Sequence, residues 1–289
     1  MREFEYITED DRLLWLCDEF KVLPAVAIDF EEECNLHAYG EHISIIQIYD
    51  RKRFYIVDVL SNGITDKSLE KLFSLPCEKI WFECHSDLAI LYKKHNIKAT
   101  GVYDLRVLAK ALGDIHGLDE VIRVNLGIDR GGSKKKSQTE NWMKRPLKEE
   151  MLSYALEDVA YLFDLKDALL EKVRERKLLK QVESAMRHVA DIKPSKPGWM
   201  KICNVSMLTA KERVYLKHVF NARERIAERF NTPAVNVLEK KEVLRLAKLM
   251  SLGCDEITAF LERAPKRYRK FLTDAVLKAV ENAKKEVGK

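Results

Sequence analysis

Asp29 and Glu31 close an apolar run with Phe30 between them, and that spacing suits a strand, where residues i and i+2 share a face. Two carboxylates so close repel unless a cation neutralises them, and hard cations such as Mg2+ or Mn2+ prefer oxygen ligands. Farther along, Asp87 opens an expected helix just after the apolar Ile80, Trp81 and Phe82. Tyr154 and Asp158 stand four residues apart in a helical pattern, which places a phenol and a carboxylate side by side, able to hold a water between them. Each pattern alone is common: D-x-E occurs on exposed strand ends, and Asp opens helices through the macrodipole. In this order, strand first and helix last, the five side chains suit phosphodiester hydrolysis assisted by two divalent cations. Asp104 competes as a further carboxylate, but its position reads as the N-cap of a helix from Leu105.

The elements that must position these groups follow from hydrophobic periodicity. Residues 9–20 read as an amphipathic helix with Leu13, Leu14, Leu16 and Cys17 at helical spacing. Strand-like runs occupy residues 25–29, 43–49 and 54–57, and the polar turn Asp50-Arg51-Lys52-Arg53 joins the last two into an expected hairpin. Residues 68–73 read as a helix and 79–83 as a strand, with Ser86 capping a helix to about His95. A short extended piece at 102–103 precedes a helix at 105–112. Residues 127–145 are polar and contain glycine, hence a loop, and from about 147 the pattern is helical. Strands interleaved with helices imply an α/β fold, a mixed sheet flanked by helices, followed by an all-α part.

Bulk properties agree with that division. A chain of 289 residues, 46% hydrophobic and 34% charged, reads as a soluble globular protein of two domains. No run approaches the roughly 18 apolar residues of a membrane span. The acidic, amphipathic first segment reads as neither a secretory signal nor a transit peptide, so the cytoplasm is expected. Six cysteines without C-x-x-C or Cys/His spacing imply reduced thiols, not a zinc site or a disulfide framework. The net charge of +5 hides an asymmetry: residues 191–289 carry 22 basic against 12 acidic residues, the rest 29 against 34. An acidic half joined to a basic one suits a carboxylate metal centre coupled to a polyanion-binding module. The expected division is 1–190, a linker at 191–204 with two prolines and a glycine, and 205–289.

Longer stretches carry a resemblance. VAIDFE (26–31), ISIIQIYDRKRFYIVDVL (43–60), WFECHSDLAILYKKHNIKATGVYDLRVLAKALG (81–113) and, most specifically, SQTENWMKRPLKEEMLSYALEDVAYLFDL (137–165) resemble the ribonuclease D family. These are 3′→5′ exonucleases of the tyrosine-containing branch of the DEDD superfamily. The resemblance covers roughly residues 1–175. More weakly, LKHVFNARERIAERFNTPAVNVLEKKEVLRLAKL (216–249) resembles the helicase-and-RNase-D C-terminal (HRDC) domain, with room for one such domain where bacterial relatives carry two. The resemblance implies a ribonuclease H-like fold, with Asp29, Glu31, Asp87 and Asp158 binding two Mg2+ or Mn2+ ions and with Glu31 and Tyr154 as catalytic residues. Asp29 would reach both ions and Asp87 would act largely through water. The implied reaction releases 5′-mononucleotides from RNA 3′ ends, in transfer RNA or other structured-RNA processing. Phe30 stands where the family usually has a small hydroxyl residue, Leu105 where Thr is usual, and Phe82 where His is frequent. Those departures imply an altered fit at the 3′ end.

Basic and aromatic residues supply candidate nucleic-acid contacts. Lys134, Lys135, Lys136, Gln138 and Arg145 would meet backbone phosphates, with Trp142 stacking on a base. Arg223, Arg225 and Arg229 on one expected helix, and Arg263, Lys266, Arg267, Arg269 and Lys270 beyond it, offer further phosphate contacts. RNA is the expected partner of a monomer, and no membrane is. Two alternatives stand beside this: a DNA exonuclease on the same scaffold, and a noncatalytic nucleic-acid-binding scaffold. A binder has no need of all five site groups.

Overall fold

Alternation along one strand decides which side of a sheet carries the carboxylates. The computed structural model describes residues 2–131, 139–193, 195–253 and 256–288. They form two compact units, Met1–Glu33 with Glu41–Lys193, and Cys34–Gly40 with Pro194–Lys289. The first unit holds six strands: β1 (Phe4–Ile7), β2 (Ala25–Cys34), β3 (Glu41–Tyr49), β4 (Phe54–Asp58), β5 (Glu78–Trp81) and β6 (Val102–Asp104). Their order in the sheet is β1-β4-β3-β2-β5-β6. β1 runs parallel to β4, and β5 runs parallel to both β2 and β6, whereas β3 and β4 are antiparallel. The sheet is therefore mixed, as expected.

Along β2, Val26, Ile28 and Phe30 enter one core with Leu13, Leu16 and Phe20 of α1 (Asp10–Phe20), Leu72 and Phe73 of α2 (Asp66–Phe73), and Leu88 and Leu91 of α3 (His85–His95). Ala27 enters a second core with Ile45, Ile56 and Ile80. Helices α4 (Leu105–Ala111), α5 (Leu118–Leu126), α6 (Glu149–Ala160), α7 (Leu162–Glu175) and α8 (Leu179–Met186) supply most of the rest, with Phe54 of β4 and Trp142. Asp29 and Glu31 share the face of Ala27, because strand side chains alternate. They therefore look toward the layer that contains Tyr154 and Asp158.

The expected hairpin forms with Tyr49 opposite Phe54. Asp50 closes it, its Oδ1 accepting from the backbone N–H groups of Lys52 and Arg53 at 2.7 Å each, while Arg51 takes a left-handed φ of 74°. Two elements of the first unit lie outside the sequence expectation. β1 has only four residues, and its pairing comes from β4, some fifty positions away. Helix α5 is rich in β-branched residues yet is bounded by glycines, Gly117 at its N-cap and Gly127 at a left-handed C-cap.

The second unit is helical: α9 (Ala210–Arg229), α10 (Ala234–Val237), α11 (Lys240–Ser251), α12 (Ile257–Leu261) and α13 (Lys266–Val287). Thr209 and Glu212 form a reciprocal capping box at the start of α9. Leu216, Val219, Leu246, Leu272 and Val276 are among the residues of its core. The expected linker at 191–204 is divided instead. Residues up to 193 belong to the first unit, and Trp199, Ile202 and Cys203 pack against the helical core because they are apolar enough to bury. Among the described residues, no helix is long and apolar enough to cross a membrane.

Candidate active site

Three elements bring the site residues together. β2 supplies Asp29 and Glu31, α3 supplies Asp87 in its first turn, and α6 supplies Tyr154 and Asp158 one turn apart. Ligand oxygens of Asp29, Glu31 and Asp158 lie within 4.8 Å of one another. Asp87 is outside that trio but close enough for its charge to act on both Asp29 and Glu31. The start of α3 differs from expectation: Cys84 takes the N-cap position, and Ser86 lies inside the helix. Its hydroxyl donates instead to Asp87 Oδ1 at 3.2 Å.

Burial and the charge of neighbouring carboxylates leave Asp29, Glu31 and Asp87 poorly stabilised as anions. Burial, then the charges of Asp87, Asp158 and Glu31, push Asp29 well above the usual carboxylate range. Burial and then Asp158 and Asp87 do the same to Glu31. Asp87 is pushed up to about 8, by burial first and Glu32 second. The Tyr154 phenol is also raised, by burial and then by Asp158, Glu31 and Asp29. Such a set of converging hard oxygens fits a divalent cation, whose charge offsets the repulsion and the desolvation alike. Gln47 adds a neutral neighbour, its Nε2 donating to Glu31 Oε1 at 3.5 Å from a fully buried place on β3.

A cavity of about 450 Å3 opens over the site, lined by Asp29, Tyr154 and Asp158 with Phe82 and Leu118 on its apolar side. Phe82 therefore lines the site, with the Arg106 guanidinium 5.6 Å from its ring centre. Phe30 does not. It points into the core beneath β2, edge-on to Phe73 at 5.6 Å and Trp81 at 6.0 Å, so its size bears on packing, not on the 3′ end. Asp104 caps α4 as expected, accepting from Arg106 N at 2.9 Å and also from Glu83 N at 2.7 Å.

Several expected nucleic-acid contacts have other work. Trp142 is 2% exposed and packs in the second core, so its indole has no face for a base. Arg145 forks onto Asp58 at 2.6 and 2.7 Å and also donates to Ser44 Oγ and Trp142 O. That guanidinium ties the segment before α6 to the sheet and is not a free phosphate ligand. Arg223 is 4% exposed, donates to Glu224 at 2.9 and 2.5 Å, and lies 4.8 Å from the Phe220 ring centre. Its role is packing within the helical unit. Arg225 stays on the exposed side of α9. Lys134, Lys135, Lys136 and Gln138 lie outside the described residues.

Sequence reasoning overlooked one group at the site. Arg130 Nη2 donates to Asp158 Oδ1 at 2.5 Å, and Nη1 lies 3.1 Å from Asp119 Oδ1. Its only signal was a lone basic residue beside Asp129 at the head of a polar loop.

Residues 4–174 match the family described as 3′-5′ exonuclease. A ribonuclease D of Shewanella is 26% identical over 222 residues, covering 74% of this chain and 56% of that protein. A ribonuclease D of Pseudomonas paraeruginosa is 24% identical over 292 residues, covering 96% of this chain and 75% of its own. Among solved structures, Escherichia coli RNase D, an exoribonuclease involved in structured RNA processing, superimposes with a TM-score of 0.78 at 24% identity. That match covers 98% of this chain and 75% of the other.

Proposed function

The chain belongs to the 3′-5′ exonuclease family, and from that premise we propose that it hydrolyses RNA from the 3′ end, releasing 5′-mononucleotides. One observation carries this reading: three carboxylates with oxygens within 4.8 Å of one another, two of which, Asp29 and Asp158, line an open cavity together with Tyr154. Asp29, Glu31 and Asp158 would hold one divalent ion, and Asp29 with Asp87 would serve a second. Bound there, Mg2+ or Mn2+ would supply the positive charge that acidifies a water and steadies the leaving 3′ oxygen.

The side chains of the chain itself do the rest. Tyr154, a phenol with an ordinary pKa of about 10, keeps its proton at neutral pH and acts as a hydrogen-bonding guide for the attacking water, not as a base. Ser86 and Gln47 hold Asp87 and Glu31 in place. Phe82 and Leu118 form an apolar wall against which a terminal base fits. The helical unit, with its excess of basic residues, is read as a nucleic-acid-binding module of HRDC type, Arg225 among its exposed cations. The free cysteines of the chain suit a reducing compartment, in keeping with a place in the cytoplasm.

End-labelled RNA and DNA of one sequence, single-stranded and duplex, incubated with Mg2+, Mn2+ or EDTA, test the reading. Metal-dependent release of mononucleotides, faster from RNA, is expected, and Asp29→Ala should abolish it. Removing such a carboxylate should cost on the order of a thousandfold or more in rate. Equal activity in that variant overturns the assignment, and a preference for deoxyribose moves it to DNA.

A further inference from the structure

Arg130 has no part in the hydrolysis proposed above, although its side chain is 1% exposed and lies against Asp158 of the acidic trio. The guanidinium reaches from the segment after α5 to Asp158 and is steadied on its other side by Asp119, a residue that also lines the cavity. Its Nε and Nη1 are sealed from solvent yet make no hydrogen bond. Buried donors are nearly always satisfied in folded proteins, and unmade bonds cluster where a ligand completes them. An arginine fork is planar, permanently charged and shaped for two oxygens of a carboxylate or a phosphate.

Asp158 is also one of the three carboxylates placed to hold a divalent ion. Guanidinium and metal ion thus answer the same need, positive charge beside a buried carboxylate, and they compete for the same oxygens. We propose that Arg130 is an exchangeable partner of Asp158: it yields the carboxylate to a divalent ion and takes a phosphate oxygen of the nucleotide in the cavity. The inference rests on the metal-dependent nuclease reading. It gives Nε an acceptor and Nη1 a hydrogen bond beyond its ion pair with Asp119, and makes metal loading and substrate capture mutually supportive. No covalent bond changes in the exchange.

The test compares wild type, R130Q, R130K and D158N, all as full chains. Mn2+ uptake is followed by electron paramagnetic resonance of the free ion without nucleic acid. Binding of a fluorescent phosphorothioate oligoribonucleotide, chosen to block hydrolysis, is measured in Mn2+. R130Q is expected to take up Mn2+ at least threefold more tightly and to bind the oligonucleotide at least tenfold more weakly. Its salt slope should fall by about 0.7, the value for one lost phosphate contact on a single strand. R130K keeps the charge but not the fork, so Mn2+ affinity near wild type with weakened oligonucleotide binding is expected. If R130Q binds Mn2+ no more tightly than wild type, or binds the oligonucleotide equally well, the proposal is overturned. Should R130Q fail to fold, wild-type oligonucleotide affinity in R130K overturns it. Wild type taking up no more Mn2+ than D158N defeats the metal reading itself, and this inference with it.

Discussion

Replacing Arg145 by Met separates a positioning role from a phosphate-binding one. Asp58 is 4% exposed and receives both arms of the Arg145 fork. Removing one partner of a buried ion pair strands the other charge, typically at about 3–5 kcal/mol. Two features lower that figure here. The Arg145 side chain is 27% exposed, so part of its charge is already hydrated, and Asp58 keeps the Tyr6 hydroxyl at 2.7 Å and Leu60 N–H at 3.1 Å. About 2–3 kcal/mol at pH 7 is the expected loss. Burial alone would raise the Asp58 carboxyl, but hydrogen bonds from Arg145 and Tyr6 outweigh it and hold the group below its usual value. A depressed carboxyl stabilises the fold above its unfolded pKa of about 3.9, and that contribution disappears as pH falls through the folded value. Urea denaturation at pH 7, 5 and 3 should therefore show wild type losing its advantage over Arg145→Met only on the acid side. The slope of RNA affinity against salt should stay unchanged. Stability within about 0.5 kcal/mol of wild type, together with a slope shallower by about 0.7, would refute the reasoning and return Arg145 to the phosphate backbone.

Other perturbations read other parts of the site. Tyr154→Phe keeps the ring but removes the hydroxyl, so kcat should drop on the order of a hundredfold while Mn2+ affinity holds; single-turnover kinetics beside a metal titration will tell, and an unchanged kcat counts against water guidance. Trp142→Ala should cost about 3–5 kcal/mol in urea denaturation through loss of core packing. A near-wild-type stability paired with weakened RNA binding would mean that the indole stacks on bases after all. Chelation should lower the melting temperature and Mn2+ restore it in wild type but not in Asp158→Asn, as differential scanning fluorimetry will show; a full response in that variant removes Asp158 from the ligand set.

Most of the geometry of the candidate site was legible because it depends on short-range periods. The i, i+2 spacing of Asp29 and Glu31 and the i, i+4 spacing of Tyr154 and Asp158 are fixed by strand and helix geometry alone. The hairpin turn at Asp50 was legible for the same reason. The basic and aromatic residues were not. Whether Trp142, Arg145 or Arg223 faces solvent is set by partners 15 to 101 positions away, such as Leu238, Asp58 and Ser44. Residue type suggests nucleic acid, and only tertiary packing assigns Trp142 and Arg223 to the interior and Arg145 to its pairing with Asp58. Arg130 illustrates the converse, a polar loop residue drawn inward by carboxylates on α5 and α6. Phe30 was placed on the right strand, and alternation, applied one residue further, would have turned it away from the 3′ end.

Residues Cys34–Gly40 run on from the last residue of β2 but belong with the helices of Pro194–Lys289. There Tyr39 donates from its backbone N–H to Asn231 at 3.2 Å and from its hydroxyl to Glu224 at 3.3 Å. No single cut in the chain can then yield both units whole. A fragment ending at Lys193 carries a stray piece of the other unit, with Tyr39 parted from Asn231 and Glu224. A fragment starting at 194 lacks that piece and leaves Asn231 and Glu224 facing solvent where Tyr39 belongs. Dissection by truncation would underrate both units, and excising 34–40 behind a short replacement turn, with the peptide supplied in trans to the helical fragment, is the fairer division.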